Sequence, residues 1–310
     1  MKPKLQFRGD RTFTIVQFTD LHWKRNHPAN DKTKHLMNMV LRKEEPDLVV
    51  LTGDVIDSKH CCSDDPEAEA GRGGMDALAE VVDVLEKRHV PWAAVFGNHD
   101  AEFDVSKEQL MQVQERSAFC LTERGPAHLP GLGNYVLTIA GRDNERPAAA
   151  LYLLDSLAYA PAPATGYDWI KPGQIRWYEE RSAVLHAAHG DALPALAFFH
   201  IPLQEYDAVW KHGDCRGKKQ EEVNCGPVNS GLFASLLEQG GVMGTFVGHD
   251  HLNDYWGDWH GIRLTYGRVT GYGTYPQSGK RRGARLIRLT EGERRFETWL
   301  RLDDGKKHFQ

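Results

Sequence analysis

Short runs rich in Val, Ile, Leu and Phe recur along this chain, and most are separated by stretches whose apolar residues have helical spacing. TFTIVQF (12–18), DLVVLT (47–52) and PWAAVF (91–96) read as buried strands, with helices expected at about 30–44, 74–89 and 106–118. This alternation implies a mostly parallel sheet, because parallel neighbours need a long crossover, usually a helix. NYVLTI (134–139) and AALYLLD (149–155) read as a neighbouring pair, and Pro172 suits the first turn of a helix over 172–188. PALAFF (194–199), a helix at about 229–239 and GTFV (244–247) come next. The last part, with GIRLTYG, GARLIRLT and RRFETWLRL, alternates in a β manner and implies a second, more antiparallel sheet. The expected fold class is therefore α/β: a four-layer α/β/β/α sandwich of two packed mixed sheets, in one domain over residues 1–310.

The polar residues directly behind the apolar runs are more specific than the runs themselves. Asp20 and His22 stand behind the first, Asp54 and Asp57 behind the second, and Asn98, His99 and Asp100 behind the third. His200 ends PALAFF, and His249 and His251 end GTFV. Sites in open α/β sheets lie beyond the carboxyl ends of the strands, so adjacent strands would gather these groups into one patch. Singly, each motif is bland: Gly-Asp makes turns, Asn-His-Asp caps loops, and His-x-His is common on surfaces. All of them behind strand-like runs in one chain is the informative pattern. Imidazoles, carboxylates and an amide oxygen without thiolate suit Mn, Fe or Zn, with Mg possible. There are more donors than one ion needs, and two ions sharing a carboxylate form a clamp for in-line phosphoryl displacement. His249 and His251, one residue apart in an extended segment, point different ways and could each serve a different ion.

The bulk numbers exclude little but bound the rest. With 310 residues, 41% hydrophobic and 26% charged, the chain can bury a sizeable core. A net charge of -5 argues against long nucleic acid as a partner. No run is long and apolar enough for a membrane span, and no secretory leader precedes the first strand, so a cytoplasmic location is expected. The five cysteines form no CxxC pair and are expected as thiols, with a Cys215–Cys225 bridge left open. The composition leaves the oligomeric state open.

With those residues in view, the chain resembles the calcineurin-like metallophosphoesterases over about residues 12–275, in the series Asp-x-His, Gly-Asp-x-x-Asp, Gly-Asn-His-Asp, His and Gly-His-x-His. Within that superfamily, VQFTDLHW, VFGNHDAEF, FFHIPLQEY, NSGL and GHDHLNDY are similar to the purple-acid-phosphatase-like branch that is not itself purple. The resemblance implies two divalent metals, one held by Asp20, His22, Asp54 and His251, the other by Asp54, Asn98, His200 and His249. It implies attack on a phosphate-ester substrate by a metal-bridging hydroxide, with His99 assisting the leaving group and Asp100 orienting His99. Asp57 reads equally as a turn residue and as a partner to a ligand histidine. True purple acid phosphatases carry a ligand tyrosine at that place and lack the histidine corresponding to His22, so no tyrosinate-to-iron colour is expected.

Substrate choice is less legible. Phosphomonoesters and phosphodiesters both remain open, the latter including cyclic nucleotides, phospholipid headgroups and nucleic acid, and a non-catalytic metal-binding scaffold is a third reading. The stretch 205–231 reads as a loop over the site, bringing Lys211, Arg216, Lys218 and Lys219, with solvated basic residues the simpler alternative. Asn229 and Ser230 are candidate pocket residues, and GRVTGYGTYP (267–276) would place Tyr272 at the rim, where its ring could stack on a leaving group. The polar stretch 57–74 reads as a surface loop.

Overall fold

Strand β1 (Thr12–Phe18) divides its side chains between two cores, Phe13 and Ile15 facing one, Val16 and Phe18 the other. The same division runs through β2 (Leu48–Thr52) and β3 (Trp92–Val95), which join β1 in parallel order. A strand buried on both faces has no polar side to show, which is why these runs are almost continuously apolar. This computed structural model describes residues 2–62, 69–275 and 279–310. Helices α1 (Ala29–Glu44) and α2 (Arg72–Glu86) make the crossovers, and α3 (Lys107–Arg116) starts on a capping box between Ser106 and Gln109. Of the stretch 57–74, Ser58–His60 forms a short 3-10 turn, while 63–68 lie outside the described residues.

The second sheet contains β4 (Tyr135–Ala140), β5 (Pro147–Leu153), β6 (Ala195–Phe198), β7 (Cys215–Arg216), β8 (Val242–Val247), β9 (Trp256–Trp259) and β10 (Ile262–Tyr266). Its order is β4-β5-β6-β8-β10-β9-β7, parallel from β5 to β10 and antiparallel at both margins. Helices α4 (Pro172–His189), α5 (Glu205–His212) and α6 (Leu232–Gln239) cover its outer face.

The β-rich tail does not make a sheet of its own. Its strand β10 lies in the second sheet, whereas β11 (Gly283–Thr290), β12 (Phe296–Leu302) and β13 (Lys307–His308) complete the first, in the order β13-β12-β11-β1-β2-β3. β11 runs antiparallel along the side of β1 away from β2 and pairs with it from Thr12 to Gln17, so β1 is central rather than an exposed edge. Both sheets are thus mixed. Phe13, Ile15, Val50 and Val95 from one meet Leu151, Leu196, Phe198 and Phe246 from the other in a dry middle core. Helices outside, sheets inside: the architecture is the expected four-layer α/β/β/α sandwich.

Several elements went unexpected: the short strands β7, β9 and β13, and one helix. Residues 205–212, read as the start of a loop, form α5, whose buried Tyr206 and Val209 pack into the outer core of the second sheet. Two inward residues three apart are too few to signal a helix from sequence. Among the described residues no helix is long and apolar enough to cross a membrane, and Cys215 and Cys225 are not disulfide-bonded.

Candidate metal centre

The parallel registers bring the carboxyl ends of β1, β2 and β3 to one edge and those of β6 and β8 to the same edge across the middle core. Gln17 stitches the sheets there, its amide donating to Thr52 Oγ1 at 2.8 Å and to the Val247 carbonyl at 3.0 Å. His200 does the same, with Nδ1 2.8 Å from the Thr52 carbonyl. A carbonyl can only accept, so Nδ1 carries a proton and Nε2 is the ring nitrogen turned towards the acidic cluster. That Nε2 lies 3.2 Å from Asp54 Oδ2.

Two donor sets result. Asp20, His22, Asp54 and His251 form one, Asp54, His200 and His249 the other, the atoms of each lying within 4.8 Å of one another. Asp54 belongs to both. His22 Nε2 is 3.2 Å from His251 Nε2 and 3.5 Å from Asp54 Oδ2, and His251 Nε2 is 3.4 Å from Asp20 Oδ1. Asn98 is on the turn after β3, and its Oδ1 is buried with no hydrogen-bond partner among the described residues; so is His249 Nε2. Lone pairs this close together, some of them orphaned, call for positive charge between them. The titration behaviour agrees. Burial would suppress a charged His200, but the Asp54 carboxylate overrides it and lifts the imidazole to about 10. Burial, then the charge on His200, pushes His249 down to about 3. Burial opposes ionisation of Asp54, yet His200 and His22 hold it well below the usual carboxylate range. The residues fit a pair of cations.

The backbone is shaped for the same end. Asp20, His22, Asp54 and His249 have φ of 52°, 44°, 48° and 74°, the left-handed region that side-chain-bearing residues avoid. Such outliers concentrate where surrounding structure over-determines them. Gly97 and Gly248 permit the close approach: a Cβ on Gly97 would sit 2.2 Å from Asp54 Oδ1, and one on Gly248 2.0 Å from Thr19 Oγ1.

The family model described as calcineurin-like phosphoesterase matches residues 13–253. The chain belongs to the calcineurin-like phosphoesterase family. A protein named probable inactive purple acid phosphatase 29, from Arabidopsis thaliana, is 33% identical over 97% of this chain and 85% of its own length. The phosphatase DCR2 of Saccharomyces cerevisiae is 31% identical over 98% of this chain and 56% of its own length. Among solved structures, a dimetal phosphatase from Danio rerio covers 92% of this chain and 98% of its own, with a TM-score of 0.58 at 14% identity, a likeness of fold. The purple-acid-phosphatase-like branch is thus shown at the level of sequence.

In this calcineurin-like phosphoesterase His99 stands beside the donor sets, its ring 5.2 Å from that of His22 and its backbone N–H donating to Asp54 Oδ1 at 2.8 Å. Asp100 does not orient it. The Asp100 carboxylate points inward and accepts backbone N–H groups of Gly97, Asp54 and Ile56 at 2.7, 3.0 and 3.0 Å. Burial, then the charge on Asp54, raises it to about 6. His99 Nδ1 pairs instead with Glu102 at 2.6 Å. Burial would lower the His99 pKa, but Asp54 and Glu102 raise it. Asp100 therefore ties the β2 and β3 turns together. Replacing it with alanine leaves those three amides without their acceptor and is expected to lower stability by roughly 2–4 kcal/mol in urea titrations of the metal-free protein.

Other expectations need correcting. Asp57 bonds His60 at 2.8 Å and meets Lys24 at 3.4 Å, so its histidine is not one of the donor sets. Tyr272 turns its hydroxyl to Asp303 at 2.8 Å, because the loop after β10 packs its ring against the outer core of the first sheet. Asn229 is bonded to Glu205 and, with Ser230, lines a small cleft beside Asp168 and Gln204 that includes none of the donor residues. Lys211 pairs with Asp207 at 2.5 Å, as a solvated basic residue does, and the largely covered Lys219 meets Glu222 at 3.3 Å. Pro276, the end of the predicted rim segment, lies outside the described residues. Sequence reasoning missed Glu102, although its place three residues after His99 was a usable signal. It also missed Tyr159, Tyr167 and Tyr275, which belong to no motif. The hydroxyl of Tyr159 accepts from the Asn98 amide at 3.3 Å and donates to Glu102 at 2.8 Å. Tyr167 meets His249 edge-on at 4.2 Å, and Tyr275 stacks on His251 at 4.4 Å.

Proposed function

We propose that this chain is a binuclear metal-dependent phosphoesterase acting on phosphomonoesters. The observation that carries the reading is the pair of buried donor sets sharing Asp54, with a half-exposed histidine beside them. Asp20, His22, Asp54 and His251 would hold one ion, and Asp54, Asn98, His200 and His249 the other. Bound ions of this kind supply Lewis acidity to phosphoryl oxygens and lower the pKa of water. The protein's own part is then defined. Asp54 fixes the spacing of the two sites. His99, its Nδ1 held by Glu102, offers the other ring nitrogen as proton donor to the leaving oxygen. Against the effect of burial, the Asp54 and Glu102 carboxylates raise the pKa of that imidazole, and Glu102 fixes its plane. Relatives named as phosphatases support the monoester over the diester, and the acidic side chains Glu102 and Glu221 near the donors weigh against polyanions such as nucleic acid.

A second reading draws on the relatives named inactive: a metal-binding scaffold without turnover. The donor sets and His99 are all present here, which favours catalysis. Metal-stripped protein reloaded with Mn²⁺ is expected to hydrolyse an aryl phosphomonoester faster than a bis-aryl phosphodiester. Bound metal with no turnover of either would leave the scaffold.

A further inference from the structure

The three tyrosines around the centre come from two segments that carry none of the family motifs: Tyr159 and Tyr167 lie between β5 and α4, and Tyr275 lies after β10. They are not loosely placed. Tyr159 and Tyr167 stack on each other at 5.8 Å, and the former is tethered through its hydroxyl to Asn98 and Glu102. Tyr275 donates its hydroxyl to Glu221 at 2.8 Å while its ring lies nearly parallel to His251, at 18°. Each ring therefore has one side or edge committed to a centre residue. Tyr159 remains 47% exposed and Tyr275 44% exposed. Rigid aromatic surface, half open to solvent and held by hydrogen bonds, is preorganised to receive another ring.

We infer that the site selects aryl phosphomonoesters, with the aromatic leaving group packed against Tyr159, Tyr167 and Tyr275. This rests on the phosphoesterase reading above and names its substrate class. Distance argues for an aryl ester rather than a nucleotide. Tyr167 and Tyr275 touch the imidazoles of the donor sets themselves, at 4.2 and 4.4 Å. A ring borne directly on the ester oxygen would stay beside the donor imidazoles and so within reach of the tyrosines that touch them, whereas a base would be carried a sugar's length further out. Charge agrees, because the two tethers, Glu102 and Glu221, are anions that repel further phosphates and favour a leaving group that is itself uncharged near the phosphorus.

The test is equilibrium binding, independent of turnover. Isothermal titration of the Mn²⁺-loaded full chain with phenylphosphonate and methylphosphonate is expected to give at least about tenfold tighter binding of the phenyl compound. In the double variant Tyr159→Ala/Tyr275→Ala, compared with the wild type at equal measured metal content, that preference should fall below about threefold. The Tyr159→Phe/Tyr275→Phe variant keeps the rings without their tethers and should retain most of it. Equal binding of the two phosphonates by the wild type overturns the inference, as does a preference that survives loss of both rings. Turnover then separates this inference from the reading beneath it. If the aryl preference in binding holds but phenyl phosphate and hexafluoroisopropyl phosphate, esters of similarly acidic alcohols, are both inert, the ring site stands and the catalytic reading falls. If both are hydrolysed equally and the phosphonates bind equally, catalysis stands and the ring site falls. Binding of neither phosphonate removes both.

Discussion

Asp54→Asn is expected to reduce the metal content from two ions per chain to fewer than one, and turnover by about 10³-fold or more, since the ions are asked to supply several kcal/mol of charge stabilisation. The substitution is nearly isosteric. An amide oxygen can still accept the His99 backbone N–H that Asp54 Oδ1 takes at 2.8 Å, so the turn after β3 should persist. The loss is that of the anion common to both donor sets. Without it, the lone pairs of His22 and His200 lose the charge that draws a cation between them. Plasma mass spectrometry of dialysed protein reads the metal, and an aryl phosphate assay reads the rate. A variant that keeps both ions and full activity would sink the assignment of a shared bridge.

The second large effect separates chemistry from metal binding. His99→Ala should leave both ions in place and slow hydrolysis by about 10²–10⁴-fold for a poor leaving group, the usual worth of a positioned general acid. The deficit should shrink towards unity as the leaving alcohol becomes more acidic, because such an oxygen departs without a proton. Glu102→Gln, which keeps the hydrogen-bonding shape at 2.6 Å but removes the charge, should show the same leaving-group trend with a smaller deficit. A deficit of equal size across the series would mean that His99 holds the phosphate and transfers no proton.

How far the sequence foretold this centre depends on which physical signal each residue leaves. Asp20, Asp54, Asn98, His200 and His249 were legible because each stands just behind an apolar run, and the parallel register of those runs brings their ends together. The strands were legible for the same reason: burial on both faces writes an unbroken apolar string. The allocation of the tail between two sheets was not, since alternation reports a half-buried strand and says nothing of its neighbour. Asp100 was misread because the resemblance supplied a role without a direction, whereas the turn sends its carboxylate inward to three amides and leaves His99 to Glu102. Tyr272 and Tyr275 have the same neighbours in composition, and only the packing of Tyr272 against the outer core decides which ring meets His251. Long-range side-chain choices of that kind leave no periodic trace.

The proposed ligands also impose an order of events on a growing chain. His22 and His251, 3.2 Å apart in the finished protein, are separated by 229 positions in the polypeptide. β1, which leads into Asp20, is itself flanked by β11, from beyond position 282. A ribosome delivers residues from the amino end, so the early strands wait without their late partners through most of synthesis. Neither donor set is complete until His249 and His251 have been added to the chain. Ions bound by these sets would therefore arrive after the strands from β1 to β8 have been made, and would close the assembly of those strands and not seed it.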